Sequence, residues 1–134
     1  FADGVDDVHP VRPSTIAKSL AIGNPADGYY ALDVIRKTGG ACGSVTDDEV
    51  VEGMRLLART EGIFGETAAG VTIATLAKLA REGVVRRDER VVAYVTGHGL
   101  KTLDAIAPHV SVTTTIPPRL DAFRAAFPEL TQEA

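Results

Sequence analysis

Cysteine and tryptophan are nearly absent: the 134 residues include one cysteine, Cys42, and no tryptophan. One cysteine cannot form an internal disulfide or a thiolate zinc site, which fits a reducing compartment. We therefore expect Cys42 to be a small buried residue in a cytoplasmic protein. No apolar run approaches the roughly 20 residues that cross a bilayer. Residues 1–10 are acidic and lack the basic start of a signal peptide, so the sequence predicts no membrane partner.

A surplus of basic residues is also missing. Lysine and arginine number 14 against 18 acidic residues, and the formal net charge is −4. Because nucleic-acid binding needs a basic surface, we expect no nucleic-acid partner. The three histidines have no histidine or glutamate partner at the spacing of a zinc-binding helix, so we expect no metal site. The apolar fraction of 45% and the charged fraction of 24% are those of ordinary globular protein.

Apolar periodicity predicts helices that alternate with a few short strands. Thr46 and Glu49 form a capping-box pattern that opens a helix with Val50, Met54, Leu57 and Ala58 on one apolar stripe. Ser14 and Thr15 are candidate caps of a short helix over residues 15–21, and residues 67–82 form an alanine-rich, largely apolar helix. Residues 90–96, RVVAYVT, have the β-branched run of a central parallel strand, and weaker strand candidates are 41–45, 62–64 and 111–116. The pattern predicts an α/β fold, as part of an open, mostly parallel twisted sheet with helices on both faces. So few strands would leave the apolar helices uncovered, which predicts a missing upstream partner.

The glycine loop after the strand, Gly97-His98-Gly99, is a candidate ligand site because open α/β sheets bind ligands at the carboxyl ends of strands. Its spacing fits neither a P-loop nor a dinucleotide fingerprint. Local sequence favours plainer roles: a tight turn for the glycines, a solvated loop for His98 and helix capping for Glu66. Local chemistry alone indicates an α/β fragment with a possible ligand loop.

Three segments taken together indicate a protein family much more specifically than this local chemistry does. They are TIAKSLAIGNPADGYYAL (15–32), EGIFGETAAGVTIA (61–74) and VVAYVTGHGLKT (91–102). Their order and spacing resemble the last third of the threonine synthase family, over roughly residues 10–105. The tail TIPPRLDAF also resembles the C-terminus of bacterial members. Within these segments, Gly65 stands where larger residues are common and His98 where asparagine is common, which leaves fine substrate specificity open.

The resemblance implies a fold-type II enzyme with the cofactor pyridoxal 5'-phosphate, which converts O-phospho-homoserine and water into threonine and phosphate. Thr96, ending the central strand, would hydrogen-bond the pyridine nitrogen of the cofactor as a neutral partner. Gly97 and Gly99 would let the backbone pass close to the ring. The remaining residues implied to contact the cofactor are Ala21, Ile22 and Gly23, with Glu66, Thr67 and His98 as possible neighbours.

The resemblance also implies that residues 1–134 are the C-terminal portion of the large domain, with the catalytic half upstream. The family's Schiff-base lysine and its phosphate-binding loop have no counterpart here, and Lys18, Lys78 and Lys101 lie in the wrong context. The start at Phe1 fits that expectation. We therefore expect no catalytic residue in this segment, which alone would be inactive, and a homodimer when complete. Two alternatives stay open: a non-catalytic α/β module that binds a partner, and a related fold-type II lyase such as a threonine dehydratase.

Overall fold

The computed structural model describes residues 1–5, 7–110 and 114–130. Five α-helices follow one another in this part of the chain: α1 (Gly28–Lys37), α2 (Asp47–Glu61), α3 (Thr67–Arg81), α4 (Leu103–Ile106) and α5 (Leu120–Ala126). Short 3-10 turns occur at Lys18–Leu20, Gly99–Thr102, Ala107–His109 and Pro128–Leu130. Within these residues no helix is long and apolar enough to cross a membrane.

The two longest helices end where local chemistry predicts. Thr46 accepts a hydrogen bond from the Glu49 amide, and the Glu49 carboxylate accepts one from the Thr46 amide at 2.7 Å, which confirms the capping box at the start of α2. Gly62, with φ +68°, ends α2 in the left-handed conformation that favours glycine. The helix α3 begins at Thr67, as predicted, and ends at Arg81.

Helices α2 and α3 pack closely because each has a glycine at the crossing. A methyl group on Gly53 would overlap the carbonyl oxygen of Gly70, and one on Gly70 would lie 2.5 Å from the carbonyl oxygen of Val50. The buried cluster beside this crossing consists of Val50, Val51, Met54 and Ile106. Part of the predicted stripe is therefore confirmed, because Val50, Met54 and Leu57 are buried, but Ala58 is exposed.

The predicted strands do not form a sheet in the described part of the chain. It contains one isolated antiparallel bridge, between Gly65 and His98, and residues 90–96 are neither helix nor strand. A strand exists only through hydrogen bonds to a neighbouring strand, and the described residues provide no neighbour for this segment. Its side chains are accordingly exposed, with Val92 at 74% and Tyr94 at 78%. Residues 114–116 form no strand either, and 111–113 lie outside the described residues.

Two smaller predictions about the first half of the chain need correction. Cys42 was expected to be buried, but it is exposed and free, because residues 41–45 pair with no strand among the residues that the structure describes. The short helix expected over residues 15–21 is only the 3-10 turn Lys18–Leu20. The hydroxyl of Thr15 accepts a hydrogen bond from the Ala17 amide at 3.1 Å and donates one to Asp47 at 2.6 Å.

Candidate functional site

The glycine loop and the start of α3 are joined by two backbone hydrogen bonds. The Glu66 amide donates to the Gly97 carbonyl at 2.9 Å, and the Gly99 amide donates to the Phe64 carbonyl at 2.8 Å. Together they form the bridge between Gly65 and His98. The pairing brings the segment 61–67 against the segment 96–99, two of the three segments singled out in the sequence.

Both loop glycines are needed for this contact. A methyl group on Gly97 would overlap the Glu66 carboxylate and lie 2.9 Å from its Cγ. A methyl group on Gly99 would lie 2.5 Å from two carbons of the Phe64 ring. Neither glycine has the positive φ that by itself favours glycine. The close approach at these two positions therefore brings the loop against α3.

Glu66 is a buried carboxylate at the start of a helix. Its residue is 5% exposed, and its Oε2 lies 3.2 Å from the Nζ atom of Lys101, which is 64% exposed. Glu66 occupies the N-cap position of α3, although its side chain makes no capping hydrogen bond. The positive end of the helix dipole favours a negative charge there. The sequence identified Glu66, but it gave Lys101 no role beyond rejecting it as the catalytic lysine.

Thr67 is fully buried beside a second threonine that the sequence reasoning missed. The Thr67 amide donates to the Thr102 hydroxyl at 3.1 Å, and Thr102 is 8% exposed. The Thr67 hydroxyl has no hydrogen-bond partner among the described residues. Thr102 ends the segment 91–102, and its place in that segment was the signal that could have identified it.

His98 is exposed, and its side chain forms a hydrogen bond within its own loop. Its Nδ1 accepts a hydrogen bond from the Leu100 amide at 3.2 Å, and its ring lies edge-on to Phe64 with centroids 5.7 Å apart. These contacts agree with the reading of His98 as a solvated loop residue. They orient the imidazole along the turn Gly99–Thr102.

Residues 21–23 are held in a different way. The Val11 amide donates to the Gly23 carbonyl at 2.9 Å, and a methyl group on Gly23 would overlap the Val11 carbonyl. Ala21 is half-buried and Ile22 is exposed. No hydrogen bond among the described residues joins 21–23 to Thr96.

Lys18 links the 3-10 turn before residues 21–23 to the region after the loop. Its ammonium forms a short ion pair with Asp104 on α4. The hydrogen bond and the charge of Lys18 lower the pKa of the Asp104 carboxyl below its ordinary value. Both side chains are exposed, so this pair contributes little to stability.

The three lysines that the sequence analysis rejected as the Schiff-base lysine each form a contact within the chain. Lys18 pairs with Asp104, Lys101 pairs with Glu66, and Lys78 donates to the Ser44 carbonyl at 2.9 Å. Among the described residues there is also no group of three or more metal-ligating side chains. Among the described residues, this region offers hydroxyls, backbone groups, the His98 imidazole and the ion pair between the buried Glu66 and the exposed Lys101.

Thr96 places a side-chain hydroxyl directly before the glycine loop. It is exposed, and its hydroxyl makes no hydrogen bond within the described ranges, so it is available to a ligand. A hydroxyl is a neutral donor, unlike a carboxylate, and it can hydrogen-bond a ring nitrogen without protonating it. A pyridoxal-phosphate cofactor is therefore compatible with Thr96 at this position, while the other contacts of such a cofactor would come from elsewhere.

Residues 1–97 match the sequence model of the family described as pyridoxal-phosphate dependent enzyme. The chain belongs to this family. Among curated relatives, it is similar to the threonine synthase of Methanocaldococcus jannaschii, with 50% identity over 106 residues, 78% of this chain and 26% of the relative. It is also similar to the threonine synthase of Methanosarcina acetivorans, with 41% identity over 116 residues, 87% of this chain and 29% of the relative. A Mycobacterium tuberculosis threonine synthase is 35% identical over 106 residues, 79% of this chain and 29% of that protein. The chain thus spans between a quarter and a third of the length of these relatives.

Proposed function

We propose that this chain is the C-terminal portion of a threonine synthase, which converts O-phospho-homoserine and water into threonine and phosphate with pyridoxal 5'-phosphate. The observation that carries the proposal is the 50% identity to a threonine synthase over 78% of the chain. The contact between the segments 61–67 and 96–99 adds support, because both belong to the pattern that resembles this family.

The large accessible surface area of the chain supports the proposal that it is part of a larger protein. Its accessible surface is 10096 Å², whereas a folded monomer of its 14.1 kDa exposes roughly 6,700 Å² by the usual scaling of area with mass. The surplus includes the apolar side chains of residues 91–95. In the proposal, residues 90–96 are a strand of a mostly parallel sheet that the upstream part of the protein completes.

Each named residue has a role in this proposal. The Thr96 hydroxyl meets the pyridine nitrogen of the cofactor, and Gly97 and Gly99 keep the backbone close to the ring. Ala21, Ile22 and Gly23 line the cofactor face once the upstream part is in place, and Glu66, Thr67 and His98 lie near it. When bound, the cofactor supplies the electron sink that carbon-bond chemistry at the amino acid requires.

The upstream portion supplies what these residues do not. It contributes the lysine that binds the cofactor and the loop that holds its phosphate, and the complete enzyme acts as a cytoplasmic homodimer.

The test is a series of substitutions at Thr96 in the complete protein. Thr96→Ser keeps the hydroxyl, Thr96→Val removes it at similar size, and Thr96→Asp introduces a carboxylate whose negative charge favours the protonated form of the ring nitrogen. We expect Ser to retain turnover and Val to lower it about tenfold, the equivalent of a lost hydrogen bond of about 1.4 kcal/mol. Thr96→Asp should shift the visible absorbance of the bound cofactor.

Three outcomes separate the proposal from its alternatives. Unchanged turnover and an unchanged spectrum in all three variants would remove Thr96 from the site. Release of a keto acid and ammonia, in place of phosphate and threonine, would indicate a related lyase such as a threonine dehydratase. A complete protein that binds no pyridoxal phosphate would support a non-catalytic binding module.

A further inference from the structure

The buried Glu66 carboxylate depends on one cation. Its side chain is 6% exposed, and among the described residues Lys101 is the group that forms an ion pair with it, at 3.2 Å. A buried charge is costly unless a partner compensates it. The Lys101 side chain is 64% exposed, so the ammonium covers the carboxylate from the solvent side.

Lys101 lies on the turn that leaves the glycine loop. Its amide donates to the His98 carbonyl at 3.1 Å, which fixes the turn to the loop. Its ammonium reaches back to Glu66, whose amide in turn donates to the Gly97 carbonyl. The side chain of Lys101 therefore closes a ring of contacts around Gly97, His98 and Gly99.

The position of Thr96 depends on that ring. The Thr96 side chain is exposed and makes no hydrogen bond within the described ranges, so its own contacts do not fix it. The next residue, Gly97, packs directly against the Glu66 carboxylate with no space for a methyl group. A displacement of the carboxylate is therefore passed to Gly97, and from Gly97 to Thr96.

From these contacts we infer that Lys101 is a positioning residue: its ammonium holds the Glu66 carboxylate against Gly97 and so fixes the Thr96 hydroxyl. The inference rests on the proposed function, in which Thr96 meets the cofactor nitrogen. Lys101 touches neither substrate nor cofactor and acts through the glycine loop. Its function is therefore distinct from that of the cofactor-binding lysine.

The experiment compares three variants of the complete protein with the wild type. Lys101→Met removes the charge and keeps an apolar stem, and Lys101→Arg restores a cation. Lys37→Met is the matched control, because Lys37 is 74% exposed and pairs with Asp33 at 2.8 Å on α1, away from the loop. The first readout is hydrogen exchange at the Glu66 and Gly99 amides, which make the two hydrogen bonds of the bridge. The second is the split of turnover into kcat and KM, with the absorbance of the bound cofactor.

We expect Lys101→Met to speed exchange at both amides about fivefold, as suits a partly exposed ion pair, and to lower kcat by a similar factor. The KM should change less than twofold, the cofactor absorbance should shift, and Lys101→Arg should restore all of these values. Lys37→Met should match the wild type. A Lys101→Met protein that matches Lys37→Met in exchange, kcat and absorbance would overturn the inference while leaving the proposed function intact.

The exchange measurement does not depend on activity. A wild-type protein without cofactor absorbance or turnover would therefore overturn the proposed function and the link to Thr96. Faster exchange in Lys101→Met alone would then still support the role of the ion pair in holding the loop. Faster exchange without any change in kcat or absorbance would overturn the link to Thr96.

Discussion

Replacing Gly97 with alanine probes the contact between the loop and α3 most directly. The new methyl group would overlap the Glu66 carboxylate and lie 2.9 Å from its Cγ. The side chain of Glu66 is only 6% exposed, so it cannot move away without leaving Lys101 or displacing the loop. The backbone itself accepts alanine, because Gly97 is not among the glycines with positive φ.

Two opposing effects set the size of the change. Overpacking a filled site costs about 1–3 kcal/mol, while replacing glycine with alanine in a compatible conformation stabilises by about 0.4–1 kcal/mol through the unfolded chain. We therefore expect Gly97→Ala to lower the free energy of unfolding by about 1–2 kcal/mol. In a Glu66→Ala background the overlap is absent, and the same substitution should become neutral or slightly stabilising.

The assay is urea unfolding of the complete protein for the wild type, both single variants and the double variant. The coupling energy of this cycle should be about 1–3 kcal/mol, in the range of residues in direct contact. A coupling below about 0.5 kcal/mol is the value found for independent sites. That result would refute the packing of Glu66 on Gly97, and with it the argument for Lys101.

Two further predictions concern the helices. The Thr46 amide, as the main cause, lowers the pKa of Glu49 below its ordinary value of 4.5, so the stability that the Glu49 charge contributes is complete above that pH. The difference in unfolding free energy between the wild type and Glu49→Gln should shrink as the pH falls below 4.5, and a difference that is constant with pH would contradict this reasoning. Gly53→Ala should lower the free energy of unfolding by about 2 kcal/mol, because its methyl group meets the Gly70 carbonyl, a backbone atom that cannot rotate away. The exposed neighbouring change Glu52→Ala should stay within about 0.5 kcal/mol, and equal effects in thermal melts of the two variants would argue against a close helix crossing.

The sequence predicted the helices well because their signals are local. Thr46 and Glu49 satisfy each other within one turn, and Gly62 ends the same helix through its own backbone conformation. The predicted strands do not form in the described part of the chain, because the hydrogen bonds of a strand are not local. Residues 90–96 have the composition of a central strand, but in the described part of the chain they have no neighbour to pair with. Cys42, which lies in the strand candidate 41–45, was expected to be a small buried residue and is exposed.

The sequence singled out the residues of the glycine loop and Glu66 at the start of α3, but not the contacts between them. Local sequence explained Gly97 and Gly99 by a tight turn, and the family resemblance implied that they let the backbone approach the cofactor ring. The structure gives each glycine an immediate neighbour, the Glu66 carboxylate for Gly97 and the Phe64 ring for Gly99. Such pairs join residues that are about 30 positions apart, so no local pattern in either segment could predict them.

The contact between residues 61–67 and 96–99 joins two of the segments that resemble the threonine synthase family. Glu66 begins α3 and Gly97 follows the candidate strand, so each segment alone has a local explanation, a helix start or a tight turn. In the structure the two segments exchange backbone hydrogen bonds and fill each other's space. A larger side chain at Gly97 would displace Glu66, and loss of Lys101 would leave that carboxylate without its cation. The two segments therefore form one structural unit, in which the residue at the start of a helix determines where a threonine on a distant loop presents its hydroxyl.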